Sequence, residues 1–349
     1  MNVVETFLKR HWARLELDRY GTTTRSQCAC VVKTPRFRTS NHVVFLVFVG
    51  GTCEPIFVAK LPRIESHVDA LDKEAMNLRA VQALRQGGFD SIPRLVTYER
   101  HGNWPLLVET ALPGRIMKPA VVQRRPRACL DSVLAWLSDL HMTHASKSTD
   151  VQDSWRRRLE GSTRGLSDNL ELSDEDWRLV DQTRKLALAL RDSAIPLVFE
   201  HGDLSSPNIL ELKGGRVGVL DWELADPEGL PAVDLFFFLN YVAIARSRPR
   251  KPEEFVAAFR AAFFGNAAWA RPYVRRYAES LRLSADTLRS LFVLCWARYI
   301  DRLGHRMNTG RESHDSNRAR EAIPWLRNNR YWHLWRYAVE HAEELNLLN

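Results

Sequence analysis

The chain has 349 residues, 45% of them apolar and 26% charged, which is long enough for two domains around sizeable cores and too apolar for a disordered protein. Its formal net charge of +8 is spread out, with local concentrations at Arg124, Arg125 and Arg127 and at Arg246, Arg248, Arg250 and Lys251, each interrupted by proline. No nucleic-acid-binding motif accompanies them, so solvated surface is expected and no nucleic-acid partner.

MNVVETFLKRHWARLELDRYG mixes Glu5, Glu16 and Asp18 with basic residues, lacks a secretory apolar core, and reads as an amphipathic helix of the fold. VVFLVFV (43–49) and IFVAKL (56–61) are β-branched and aromatic runs around the turn GGTCEP and should pair as a hairpin. Alternation puts Ile56, Val58 and Lys60 on one face, leaving a lysine among apolar neighbours on a covered surface. An ammonium buried without a partner is expensive. The amphipathic helix LDKEAMNLRAVQALRQGG, with Leu71, Ala75, Leu78 and Leu84 on its apolar side, offers Glu74 as that partner. LLVET (106–110) is an apolar strand running into ALPG, a natural connection between lobes.

Leu130, Val133, Leu134, Leu137 and Leu140 recur at helical spacing and end in His141 and His144, which suit core packing and the negative end of a helix dipole. The stretch from there to about Ile195 is polar and reads as a helical insertion. Five scattered cysteines without a CxxC or zinc-like spacing fit a reducing cytoplasm. The longest apolar run, Leu235 to Ala245, is interrupted by Asn240 and falls far short of the roughly 20 residues of a membrane span, so none is expected.

The densest chemistry lies in FEHGDLSSPNILELKGGRVGVLD, residues 199–221. A strand ends at Phe199, a Gly/Ser/Pro-rich turn carries His201 and Asp203, and a hairpin follows around Gly214 and Gly215, a pair suited to a two-residue primed turn. That turn pairs Lys213 with Arg216, Leu212 with Val217 and Leu210 with Val219, and sets Asn208 directly opposite Asp221. Opposed residues have Cβ atoms about 5 Å apart, so an amide oxygen and a carboxylate there can ligate one small hard cation, with Asp203 at the mouth of the same hairpin end. An ordinary hairpin after an Asx turn is the plainer alternative. Downstream, Asp234 precedes the run LFFFL and reads locally as a helix N-cap. The remaining third is helical with aromatic stripes at core spacing.

HGDLSSPN followed by LDWE resembles the catalytic segment of the protein-kinase-like superfamily, and the glycine after His201, the proline before Asn208 and DWE in place of DFG resemble its aminoglycoside phosphotransferase and choline kinase branch. The resemblance implies an α+β, two-lobed protein-kinase-like fold, with a β-rich nucleotide-binding lobe over residues 1–108 and a mainly helical catalytic and acceptor-binding lobe over 109–349. It implies ATP as phosphate donor and Mg²⁺ as cofactor, Asp203 as acceptor of the substrate hydroxyl proton, and Asn208 and Asp221 as metal ligands. It also implies that Lys60 touches the nucleotide phosphates and pairs with Glu74, and that the backbone from Glu109 to Leu112 reads the adenine edge. Asp234 would stabilise the catalytic loop.

The segment KTPRFRTSNH before the Val43 strand contains no glycine, unlike the glycine-rich loop of protein kinases. Ser40 and Asn41, with Arg36 and Arg38, stand where the phosphates are expected, and a plain hairpin turn is the equal alternative. Arg298, Asp301, Arg302 and His305 form either an acceptor-binding group or a solvated salt-bridge network. The implied activity is phosphoryl transfer to a hydroxyl of a small molecule such as a sugar, amino sugar or amino alcohol. The alternatives are a catalytically silent nucleotide-binding regulator, or a kinase acting on a glycan, lipid-linked or protein acceptor. A basic surface is unlike the acidic pocket that polycationic aminoglycosides favour.

Overall fold

The structure, a computed structural model, describes residues 2–20, 28–33, 42–64, 67–144, 172–190, 195–309 and 324–348, with backbone only for 305–309. The expectations for Arg36, Arg38, Ser40, Asn41 and the His305 side chain lie outside the described residues. The chain forms two compact units, Met1–Ile116 with Pro207–Pro227, and Met117–Ser206 with Glu228–Asn349.

The first unit is built on an antiparallel sheet of β1 (Cys28–Lys33), β2 (His42–Val49), β3 (Phe57–Pro62), β4 (Leu95–His101) and β5 (Trp104–Thr110), in the order β1-β2-β3-β5-β4. Period-two alternation sorts β3 as expected from Phe57 to Lys60, but Ile56, just before the strand, packs against the α1-side core and not on the Lys60 face. Phe57 and Ala59 join a core with Phe45, Val47, Leu106 and Val108, covered by Val4, Phe7, Leu8 and Trp12 of α1 (Val3–His11). Val58 and Lys60 occupy the other face, as do the buried residues of α2 (Val68–Ala83), which include Leu71, Ala75 and Leu78. Strand β4 escaped the sequence reading because its pattern, every residue but Arg100 half-buried, carries no clean apolar alternation.

A second sheet orders β6 (Gly114–Ile116), β8 (Ile209–Leu212) and β9 (Val217–Val219). The pairing of β6 with β8 brings the 207–227 segment into the first unit. A boundary after residue 108 would instead cut β5, which runs to Thr110.

The β8–β9 hairpin corrects the expected register. Ile209 pairs with Val219, Leu210 with Gly218 and Glu211 with Val217, one residue out of step with a two-residue turn. Gly214 and Gly215 do adopt positive φ, 77° and 74°, but Lys213 joins them in a three-residue loop closed by the Leu212 amide donating to the Arg216 carbonyl at 2.8 Å. Asn208 therefore lies opposite Leu220, whose amide donates to its carbonyl at 2.9 Å. In a continuing strand this slip would turn Asp221 to the other face. The ladder ends at Val219, however, and Asp221 takes φ 66°, which removes it from strand alternation.

The second unit is helical: α3 (Pro119–Arg124), α4 (Pro126–His144), α5 (Asp174–Leu188), α6 (Val233–Ser247), α7 (Pro252–Phe263), α8 (Arg271–Leu281), α9 (Ala285–Thr309) and α10 (Arg330–Glu340), with the short strand β7 (Val198–Glu200). Phe236, Phe259, Phe263, Phe292 and Trp296 form its aromatic centre, and the expected stripe on α4 is buried from Leu130 to Leu140. Among the described residues no helix is long and apolar enough to cross a membrane.

Candidate active site

In the first unit, Lys60 is the centre of a buried charge cluster. Its ammonium binds Glu74 of α2, lies 3.3 Å from Glu109 of β5, and stands 4.0 Å from Asp221. The Lys60 and Glu74 side chains are 8% and 0% exposed, while Asp221 is 43% exposed. One ammonium thus faces three carboxylates. Burial opposes the charge on Lys60, but Glu109, Glu74 and Asp221 outweigh it and hold its pKa well above the ordinary value. Burial pushes Glu74 up to about 8 and raises Glu109, with the attraction of Lys60 acting against both shifts. The surplus of acid over base leaves Glu74 Oε2 and Glu109 Oε2 buried without hydrogen-bond partners.

Glu109 reaches this cluster through register. Its backbone pairs with Val58 in the ladder, so its side chain shares the face that carries Lys60. What the structure brings to the lysine is the Glu109 carboxylate, a contact the sequence reading missed although strand alternation in VET signals it. Leu112 follows β5 without regular structure, and its side chain packs where a Cβ on Gly218 would sit, at 3.1 Å.

Helix α2 also holds the segment after Asp221. The Trp222 amide donates to Glu74 Oε1 at 3.3 Å, and Asn77 Nδ2 donates to the carbonyls of Trp222 and Ala225 at 2.9 and 3.0 Å. Asn77 was not foreseen; its signal is the spacing of three from Glu74, one helical turn along the same face. Glu223 lies 3.7 Å from His42 of β2, and burial, followed by the charge of Lys60, lowers the His42 pKa to about 4.

In the second unit, the loop after β7 presents Asp203. The backbone amides of His201 and Gly202 donate to the two oxygens of Asp234 at 2.6 and 2.8 Å. Asp234 is therefore a brace for this loop and not the helix N-cap read from its local sequence: α6 is preceded by Ala232 at φ 64°, which puts Asp234 inside the first turn. Arg302 of α9 donates to the Gly202 carbonyl at 2.9 Å and, with Arg298, binds the fully buried Glu200 at 3.1 and 2.8 Å. Against the effect of burial, the two guanidiniums hold Glu200 down at about 2. Arg298 and Arg302 do form ion pairs, but with the buried Glu200 of β7 and not in a solvated network along α9. Asp234, buried beside Glu200, is pushed up to about 7.

His141 sits under the same brace, its Nδ1 2.6 Å from the Tyr277 hydroxyl and its Nε2 3.8 Å from Asp234; burial lowers its pKa to about 3. Tyr277 in turn accepts from the Ala232 amide at 3.0 Å. Gly202, at φ 84°, supplies the left-handed residue this tight loop requires.

Residues 33–275 match the profile of the APH phosphotransferase enzyme family, more than half of the chain, and the chain belongs to that family. It is a phosphotransferase. No curated protein sequence matches it. Among solved structures, it is similar to the choline kinase LicA from Streptococcus pneumoniae, at 12% identity and TM-score 0.53, covering 91% of this chain and 100% of that one. A ternary complex of a thermostable mutant of aminoglycoside phosphotransferase APH(4)-Ia with ADP and hygromycin B gives 14% identity and TM-score 0.51, with 90% and 96% covered. An ethanolamine kinase from Plasmodium vivax gives 11% identity and TM-score 0.50, with 97% and 91% covered. The protein-kinase-like α+β fold expected from the sequence is the fold these structures share with it.

Proposed function

We propose that this chain transfers the γ-phosphoryl group of ATP to a hydroxyl of a small molecule of the sugar, amino sugar or amino alcohol kind, with Asp203 accepting the hydroxyl proton. The observation that carries the reading is the clamped Asp203 loop: two amides bonded to Asp234 and a carbonyl bonded to Arg302 leave little freedom to the half-buried carboxylate that follows them. The family membership and the ADP complex of a structural relative support a nucleotide as donor. The five cysteines, all free thiols, support a reducing compartment, which we take to be the cytoplasm.

The roles divide along the two units. Lys60, oriented by Glu74 and Glu109, meets the nucleotide phosphates, and the backbone from Glu109 to Leu112 borders the adenine. Asn208 and Asp221 hold Mg²⁺, which when bound neutralises phosphate charge. The residues fit such an ion: their donors are hard oxygens, Asp221 is accessible, and the cluster carries more negative than positive charge. Among the described residues no group of three or more His, Cys, Asp or Glu gathers as a complete site, so phosphate and water oxygens would complete the shell.

The hydroxyl oxygen of the acceptor forms a bond to the γ-phosphorus, the bond to the ADP oxygen breaks, and the hydroxyl proton passes to an Asp203 oxygen. Such transfers have loose transition states, so alignment and charge neutralisation supply most of the rate. Asp203→Asn tests this: turnover should fall by at least a hundredfold, the scale of general-base effects, while ATP affinity stays within about twofold. An unaltered rate removes Asp203 from the role.

A further inference from the structure

The second unit contains a cavity of about 580 Å³ between the start of α7, the middle of α9 and the residues leading into α10. Its walls are aromatic and basic: Phe255, Tyr299, Trp325 and Tyr331 with the guanidiniums of Arg250 and Arg330. The rings of Tyr299 and Tyr331 stand 4.1 Å apart between centroids, and Trp325 is 47% exposed. Arg330 lies 5.3 Å over the Phe255 ring and 4.9 Å over the Tyr331 ring, and donates to the Tyr331 hydroxyl at 3.3 Å. Among the described residues no carboxylate lines the cavity, and neither arginine makes a side-chain ion pair; Glu254 accepts only from the backbone amides of Arg250 and Lys251.

The cavity lies within electrostatic reach of the proposed base. Burial raises the Tyr331 phenol, the charge of Asp203 adds to the rise, and Arg330 opposes it. Two guanidiniums without side-chain ion pairs repel an ammonium, and Arg330 already lies over the Phe255 and Tyr331 rings, leaving Tyr299 and Trp325 as the apolar walls. A carboxylate or phosphate, by contrast, meets planar donors suited to it, and a ring finds flat apolar walls to stack on.

We propose that this cavity binds the acceptor and selects a ring-bearing alcohol that carries an anionic group, a carboxylate or a phosphate. The inference rests on the phosphotransfer reading and narrows it away from cationic amino sugars and amino alcohols. The ring lies against Tyr299 and Trp325, and the anion is held by Arg330 and Arg250.

The test uses matched probes on the full chain: glucuronate, glucose and glucosamine, and the aromatic set 3-(hydroxymethyl)benzoate, benzyl alcohol and 3-(hydroxymethyl)benzylamine, with glucose 6-phosphate as the phosphate arm. Binding is read by titration calorimetry, and phosphorylation separately by ADP release. In at least one set the anionic member should bind at least tenfold more tightly than the ammonium member. That preference should shrink to within about twofold in Arg330→Gln/Arg250→Gln, whose fold is checked by circular dichroism. Equal or reversed preference, a preference that survives in the double variant, or no binding by any probe overturns the inference. Anion-selective binding with no ADP release from any probe would sustain the selectivity and count against phosphotransfer, so the two failures are distinct.

Discussion

Replacing Lys60 with methionine removes the one cation from a cluster that holds Glu74 and Glu109 at 0% and 3% side-chain exposure. Breaking a buried pair from one side typically costs about 3–5 kcal/mol, because the other charge is left without compensation. Here a carboxylate can escape by taking a proton, and that escape limits the loss. Glu74, pushed up to about 8, takes up a proton more readily than Glu109, so the charge most exposed by the loss of Lys60 is that of Glu109. Protonating a carboxyl of ordinary pKa 4.5 at pH 7 spans about 2.5 units at about 1.36 kcal/mol each, or roughly 3 kcal/mol.

The sign follows from linkage. A carboxyl whose pKa is raised in the folded state contributes stability that is complete below 4.5 and is lost as pH rises through its folded value. Because Glu109 is already raised in the parent, the deficit of Lys60→Met should be at most about 3 kcal/mol at pH 7 and shrink toward zero near pH 4.5. Urea midpoints at pH 5, 6 and 7, compared at equal m-values, measure it. Lys60→Met/Glu109→Leu, which replaces both partners by apolar groups, should recover most of the loss at pH 7. A single variant as stable as the parent at pH 7, or a deficit unchanged by acid, would refute the charge bookkeeping.

Asp234→Ala orphans the buried amides of His201 and Gly202, at about 1–3 kcal/mol each. Faster hydrogen exchange at those two amides and a fall in turnover with little change in KM for ATP are expected; unchanged exchange would mean the brace is dispensable. Gly215→Ala places a side chain at φ 74° with nothing within 4 Å of the new Cβ. The loss should be the left-handed backbone penalty alone, about 1–2 kcal/mol by thermal unfolding, and a larger drop would point to an unseen clash.

Much of this architecture was legible from local pattern. Alternation alone put Lys60 on a covered face of β3, and the cost of burying an ammonium pointed to Glu74 on the next helix. The motif from His201 to Asp221 was equally readable, because its turn chemistry and polar residues are packed into 21 positions of the sequence. Strand β4 and the Arg298–Glu200–Arg302 network were harder. The first lacks a one-sided apolar face, and the second joins residues about a hundred positions apart whose types suit a solvated helix just as well.

Residue type and spacing thus determined which side chains this protein brings to its chemistry, since burial and hydrogen bonding penalise lone charges whatever the fold. Only the tertiary structure decided how they meet. A third residue in the Lys213–Gly215 loop shifted the hairpin by one and set Asn208 against Leu220, and the β3–β5 register turned Glu109 onto Lys60. Sheet register depends on turn length and long-range pairing, which are fixed by the strands together and not by any single residue.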